Sequence, residues 1–89
     1  MKVSFTKSFE RSISKASERD RAKESVKQLI LALESGNKPH GLGLKKLHDE
    51  IWEIRAGLRT RVLFALIPGE IRLLLVGSHE EVNRFLQRR

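Results

Sequence analysis

The groups in this chain with the most evident chemical use are cations: Lys45, Lys46, Arg55, Arg59, Arg61, Arg72 and Arg84, with His79 among them. Arg offers a planar fork of donors that matches phosphate oxygens, and Lys a compact, mobile charge, so a one-sided cluster of them suits phosphate recognition. His79 adds a side chain that can act as acid or base, because its reference pKa of about 6.5 allows either form at cellular pH. Basic side chains on an open sheet face also serve simply as a solvated, aggregation-resistant surface.

Other chemistries find little support. Cys is absent, which removes disulfides, thiolate metal sites and Cys nucleophiles and fits a reducing compartment. His40 and His48 have no nearby carboxylate pattern and His79 falls on a different element, so no metal-ligand spacing is present. Gly41-Leu42-Gly43 lacks the third glycine and the strand-to-helix context of a dinucleotide loop, and nothing near any Ser suggests a positioned base. No cofactor is expected. The net charge of +7 and pI near 10.4 are spread over both halves of the chain and favour a polyanion or an acidic protein as partner.

The elements that must position these groups follow from periodicity. Eighty-nine residues imply one domain spanning 1–89, and 39% hydrophobic with 33% charged residues suffices for a globular core. With no apolar run of membrane-spanning length and no apolar leader after Met1, the chain reads as soluble and cytoplasmic. Lys2 to Thr6 alternates as a first strand. From Ser8, Phe9, Ile13 and Ala16 mark one stripe of a helix, and Glu18 to Arg21 should hold a turn. Ala22, Val26, Leu29, Ile30 and Leu33 mark a second helix that stops at Gly36, with Pro39 beyond it.

After an irregular stretch from Asn37 to Gly43, three antiparallel strands are expected over Ile51–Arg55, Arg59–Ile67 and Ile71–Val76, the last of them central. Pro68-Gly69 is the hairpin turn. Val82, Phe85 and Leu86 mark a short terminal helix or packed tail. The first strand must return to the sheet to cover Val3 and Phe5, giving an α+β two-layer domain in which a helical hairpin packs on an antiparallel sheet.

With Pro68-Gly69 as a two-residue loop, Arg61 falls opposite Val76 and Arg59 opposite Ser78. Val62, Phe64, Leu66, Ile71, Leu73 and Leu75 then face the helices, and Arg59, Arg61 and Arg72 occupy an open basic face. Strict alternation puts His79 on the helix side, so it meets Arg61 only if the chain bends beyond Gly77, where a bend is cheap. Trp52 reads as a core residue or sheet-edge anchor.

Taken in order, Gly43-Leu44-Lys45-Lys46-Leu47, Ile51-Trp52-Glu53-Ile54-Arg55, Arg61-Val62-Leu63-Phe64 and Val76-Gly77-Ser78-His79 resemble the RelE/ParE superfamily of toxins from type II toxin-antitoxin systems. The resemblance covers about residues 43–79, and the preceding helical hairpin agrees in length and place. It implies a RelE-like fold and a ribosome-dependent endoribonuclease, an mRNA interferase that cuts mRNA in the ribosomal A site, inhibits translation and is neutralised by a cognate antitoxin protein. Such cleavage uses the substrate's own 2′-OH as nucleophile, so the protein must deprotonate it, neutralise the phosphate and protonate the 5′ leaving oxygen, with no cofactor.

By position the resemblance makes Arg61 the main phosphate clamp and Lys45, Lys46 and Arg55 orienting or charge-stabilising groups. His79 stands where the family often has Arg, and Arg84 assists from the tail. On this reading Arg61→Ala abolishes toxicity and leaves thermal stability nearly unchanged. The chain departs from the family in having no Tyr: Phe85, at about the place of a C-terminal tyrosine, can stack but cannot transfer a proton. The ParE branch, which targets DNA gyrase on the same scaffold without the nuclease set, is therefore an alternative, as is a detoxified RNA-binding member.

Overall fold

The computed structural model describes residues 1–88. In chain order the elements are β1 (Lys2–Phe5), α1 (Lys7–Lys15), α2 (Arg19–Glu34), β2 (Lys45–His48), β3 (Ile51–Arg55), β4 (Arg61–Ile67), β5 (Glu70–Gly77) and α3 (His79–Gln87). The strands form one sheet in the order β1-β5-β4-β3-β2. β1 runs parallel to β5, with Val3 opposite Ile71, and the other pairings are antiparallel. The fold is α+β, as the sequence implies, and β1 makes the sheet mixed.

Local chemistry sets the helix ends. Thr6 leaves β1 in extended conformation and its hydroxyl accepts from the Phe9 N–H, which caps α1. The turn between the helices is narrower than the charged run suggests: α2 starts at Arg19, after Glu18. The apolar stripes of both helices pack against one sheet face, where Phe9, Ala22, Val26 and Leu29 meet Ile54, Val62, Phe64, Ile71, Leu73 and Val76.

Two further features of the strands differ from the sequence expectation. Lys45–His48 is a strand, paired with β3, rather than part of a connection. The β4–β5 register also shifts between Leu63 and Phe64. Near the turn Ile67 faces Glu70 and Phe64 faces Leu73, but beyond the bulge Leu63 faces Leu75 and Arg61 faces Gly77 instead of Val76. One extra residue in β5 moves Leu75 off the helical-hairpin face and brings Val76 onto it.

The opposite face is not open. α3 folds back on it, and Val82, Phe85 and Leu86 pack with Ile51, Leu63, Ala65, Leu74 and Leu75. The basic surface is thereby confined to the part of that face which α3 leaves uncovered.

Candidate functional site

Strand alternation and cross-strand pairing build the site. In β3, Trp52 and Ile54 point to the helical hairpin, which leaves Ile51, Glu53 and Arg55 on the α3 side. Arg55 pairs directly with Arg61 of β4, Glu53 pairs with Leu63, and on the outer strand Lys45 pairs with Glu53. Lys45, Glu53, Arg55 and Arg61 thus share one patch of one face. Lys45 and Arg55 are exposed, and the Arg55 stem lies against Gly43.

Within the patch the Arg61 guanidinium donates through Nη1 to Glu53 Oε2 at 2.9 Å. The Arg61 side chain is 24% exposed and that of Glu53 only 5%. Glu53 was not among the residues expected from sequence. The available signal was its place on the Arg55 side of an otherwise apolar strand, where an acid next to Ile51 and Leu63 requires a counter-ion. The pair also changes what Arg61→Ala means. Removing the guanidinium leaves a buried carboxylate without its partner, so unchanged stability is not the expected result.

His79 is reached by the bend beyond Gly77. Ser78 caps α3 by accepting from the Glu81 N–H, while the Glu81 side chain accepts from the Ser78 N–H in return. His79 follows as the first helical residue, exposed, with Nε2 3.3 Å from Asn83 Nδ2. Because Gly77 faces Arg61, His79 stands at the Arg61 end of the sheet, where α3 begins its return over the Leu63 side.

The remaining expected residues lie apart from this patch. Lys46 pairs with Trp52 on the other face, its ammonium 5.8 Å from the indole centroid, so Lys45 rather than Lys46 accompanies Arg61. Arg59 precedes β4 in a loop and lines a cleft of about 350 Å³ with Lys15, Ser17 and Gly77; it is not in register with Ser78. Arg72 shares the Arg61 face but pairs with Ala65, roughly 13 Å along the strand at about 3.3 Å per residue. Its Nε donates to Glu70 at 3.1 Å. Arg84 is exposed on α3, away from the helical stripe of Val82, Phe85 and Leu86. Phe85 packs against the sheet in that stripe.

The loop that delivers the chain into β4 is fastened by Glu18. Its carboxylate accepts from the Thr60 hydroxyl and lies beside the backbone amides of Arg59 and Leu58. The Thr60 bond foremost, aided by these amides and by Arg21, holds its pKa below the usual glutamate value against the opposing effect of desolvation. Gly57, at φ 151°, lies against the same carboxylate. Among the described residues no group of three His, Cys, Asp or Glu side chains is placed to hold a metal ion.

No protein-family model and no curated protein matches the sequence. Solved structures do match in fold. A copper-bound mutant toxin from Helicobacter pylori superposes with a TM-score of 0.75 at 20% identity, over 92% of this chain and 98% of that one. The toxin in the RelB-RelE antitoxin-toxin complex from Methanococcus jannaschii gives 0.72 at 17% identity, over 92% and 96%. YafQ from E. coli gives 0.69 at 13% identity, over 90% and 94%. The chain therefore has the fold of RelE-like toxins.

Proposed function

We propose that this chain, built on the fold of RelE-like toxins, is the toxin of a type II toxin-antitoxin pair and cleaves mRNA on the ribosome. The observation that carries the reading is the convergence of Lys45, Arg55 and Arg61 on one sheet face, with His79 opening the next element at the Arg61 end of the sheet. Arg61 binds the scissile phosphate, and Lys45 and Arg55 offset the charge that builds on its oxygens. His79 moves a proton, either from the 2′-OH or to the leaving 5′ oxygen. The whole domain, residues 1–89, acts as one unit in the cytoplasm. No helix among the described residues is long and apolar enough to cross a membrane.

An antitoxin partner fits the surface on the other side of the molecule. Phe5, Phe9, Ile13, Val26, Ile30 and Leu31 line a cleft of about 380 Å³, bordered by Lys23 and Lys27. Phe5 and Leu31 remain more than half exposed there. An amphipathic segment with acidic flanks would cover those side chains and fold as it binds.

One observation favours a second reading, a binding toxin of the ParE kind without cleavage. Among the described residues the His79 side chain meets Asn83 rather than any of the cations, and Phe85 has no hydroxyl with which to replace it.

Primer extension on a defined mRNA in a reconstituted translation mixture separates the two. Cleavage inside codons that requires ribosomes, and is lost with His79→Ala, is expected from the nuclease. Intact mRNA together with inhibited gyrase supercoiling would establish the binding toxin.

A further inference from the structure

We propose that Glu53 is a positioning residue that aims Arg61 at the scissile phosphate, an inference that rests on the nuclease reading above. The Glu53 carboxylate engages Arg61 through a single contact, Oε2 to Nη1. Arginine carries five N–H donors in a rigid fork, so the Nε and Nη2 edge stays available to a phosphate while Glu53 holds the other corner. Arg61 can therefore be fixed and bind at the same time.

Burial decides the role. With its side chain 5% exposed, Glu53 lies beneath Arg61 and cannot reach a 2′-OH, which excludes it as the general base. The same burial strengthens its hold on the guanidinium by lowering the local dielectric. Arg61 needs such a hold because Arg55 is its direct cross-strand neighbour, and like charges in that relation repel. Glu53, two residues before Arg55 on β3, draws Arg61 along the strand and away from it. The arrangement lowers the net charge of the patch by one and in exchange fixes one guanidinium in place.

This makes an unusual pairing of effects. Removing the Glu53 charge should improve RNA binding by electrostatics yet slow cleavage by misplacing the clamp. The test compares wild type, Glu53→Gln and Glu53→Leu in single-turnover cleavage of ribosome-bound mRNA, with folded fraction measured for each. Gln keeps an acceptor for Nη1, and Leu removes it in a similar volume, with Arg61 free to swing into water. The expected result for Glu53→Leu is a KM equal to or below wild type and a kcat lower by about 100-fold. Glu53→Gln should lie between. A loss explained entirely by folded fraction, or an unchanged kcat, would overturn the role.

A second readout does not depend on cleavage. The rate at which phenylglyoxal modifies Arg61, followed by mass spectrometry, should rise in Glu53→Leu and rise less in Glu53→Gln. If wild type binds mRNA and cuts none, the nuclease reading fails, and the modification rates still decide whether Glu53 holds Arg61; equal rates in all three proteins would show that it does not.

Discussion

Arg61 and Glu53, on neighbouring strands β4 and β3, form the ion pair in which a carboxylate is most completely shut away from solvent among the described residues. The group proposed as the phosphate clamp is thus also a structural counter-ion. On the proposed reading, loss of activity on mutating Arg61 has two origins, a missing clamp and a weakened fold, and they must be measured apart.

Arg61→Ala should lower stability by about 2–4 kcal/mol, near the low end for a broken buried pair because part of Arg61 remains in water. The double variant Glu53→Leu/Arg61→Ala should recover most of this loss, since no buried charge is then left alone. Urea unfolding of the three proteins checks it. Equal midpoints for wild type and Arg61→Ala would mean that Glu53 finds other solvation.

The two adjacent lysines should behave differently. Lys45→Ala should weaken binding to a single-stranded RNA and reduce the slope of log affinity against log salt by about 0.7, as one phosphate contact is lost. Lys46→Ala, on the Trp52 face, should leave both nearly unchanged. Titrations at several salt concentrations decide it, and equal effects of the two would place the RNA across the β2 edge instead of on the α3 face.

Acid should loosen the β3–β4 loop. Glu18, through Thr60 first, and Glu70, through the Ser4 hydroxyl first and then Arg72, both have pKa values below the usual 4.5. A carboxyl whose folded pKa is depressed adds stability that is complete above its unfolded value and lost as the pH falls through the folded one. Stability should begin to fall only below about pH 4.5, and Glu18→Gln should flatten that fall. Urea midpoints across the acid range test this, with an unchanged acid limb in Glu18→Gln counting against it.

Two loop glycines should rank clearly. Gly57 has φ 151°, and a Cβ there would collide with the Glu18 carboxylate; Gly69 has φ 75° with no atom within 4 Å of an added Cβ. Gly69→Ala should cost about 1–2 kcal/mol for the left-handed backbone alone, and Gly57→Ala clearly more. Comparable losses in thermal unfolding would show that Glu18 yields easily.

The fold was legible where periodicity is strong. Val26, Leu29 and Leu33 define α2, and Pro68-Gly69 defines the hairpin, because these signals are local. β2 was not legible, since Lys45–His48 has one apolar residue, Leu47, and becomes a strand only through pairing with β3. The shift in β5 was hidden by the aliphatic run Leu73–Val76, in which any residue is equally able to bulge. Of the site, Arg55 and Arg61 were legible as cations, but Lys45 could not be told from Lys46 without the β2 register. Glu53 was missed because its burial is set by a partner eight residues later on another strand.

The parallel pairing of β1 with β5 also fixes when a newly made molecule can be finished. Ser4 and Glu70, which hydrogen bond, are 66 residues apart, and Thr6 reaches Leu73 across 67. The first strand leaves the ribosome early and has no sheet to join until β5 has followed it out, while the apolar faces of α1 and α2 wait as well. Closing so long a loop is slow and leaves those faces exposed in the interval. Completion of the sheet, and with it of the Arg61 face at the far end of β5, therefore waits on the residues of β5, and a nascent chain that has not yet released them holds only an unfinished edge there.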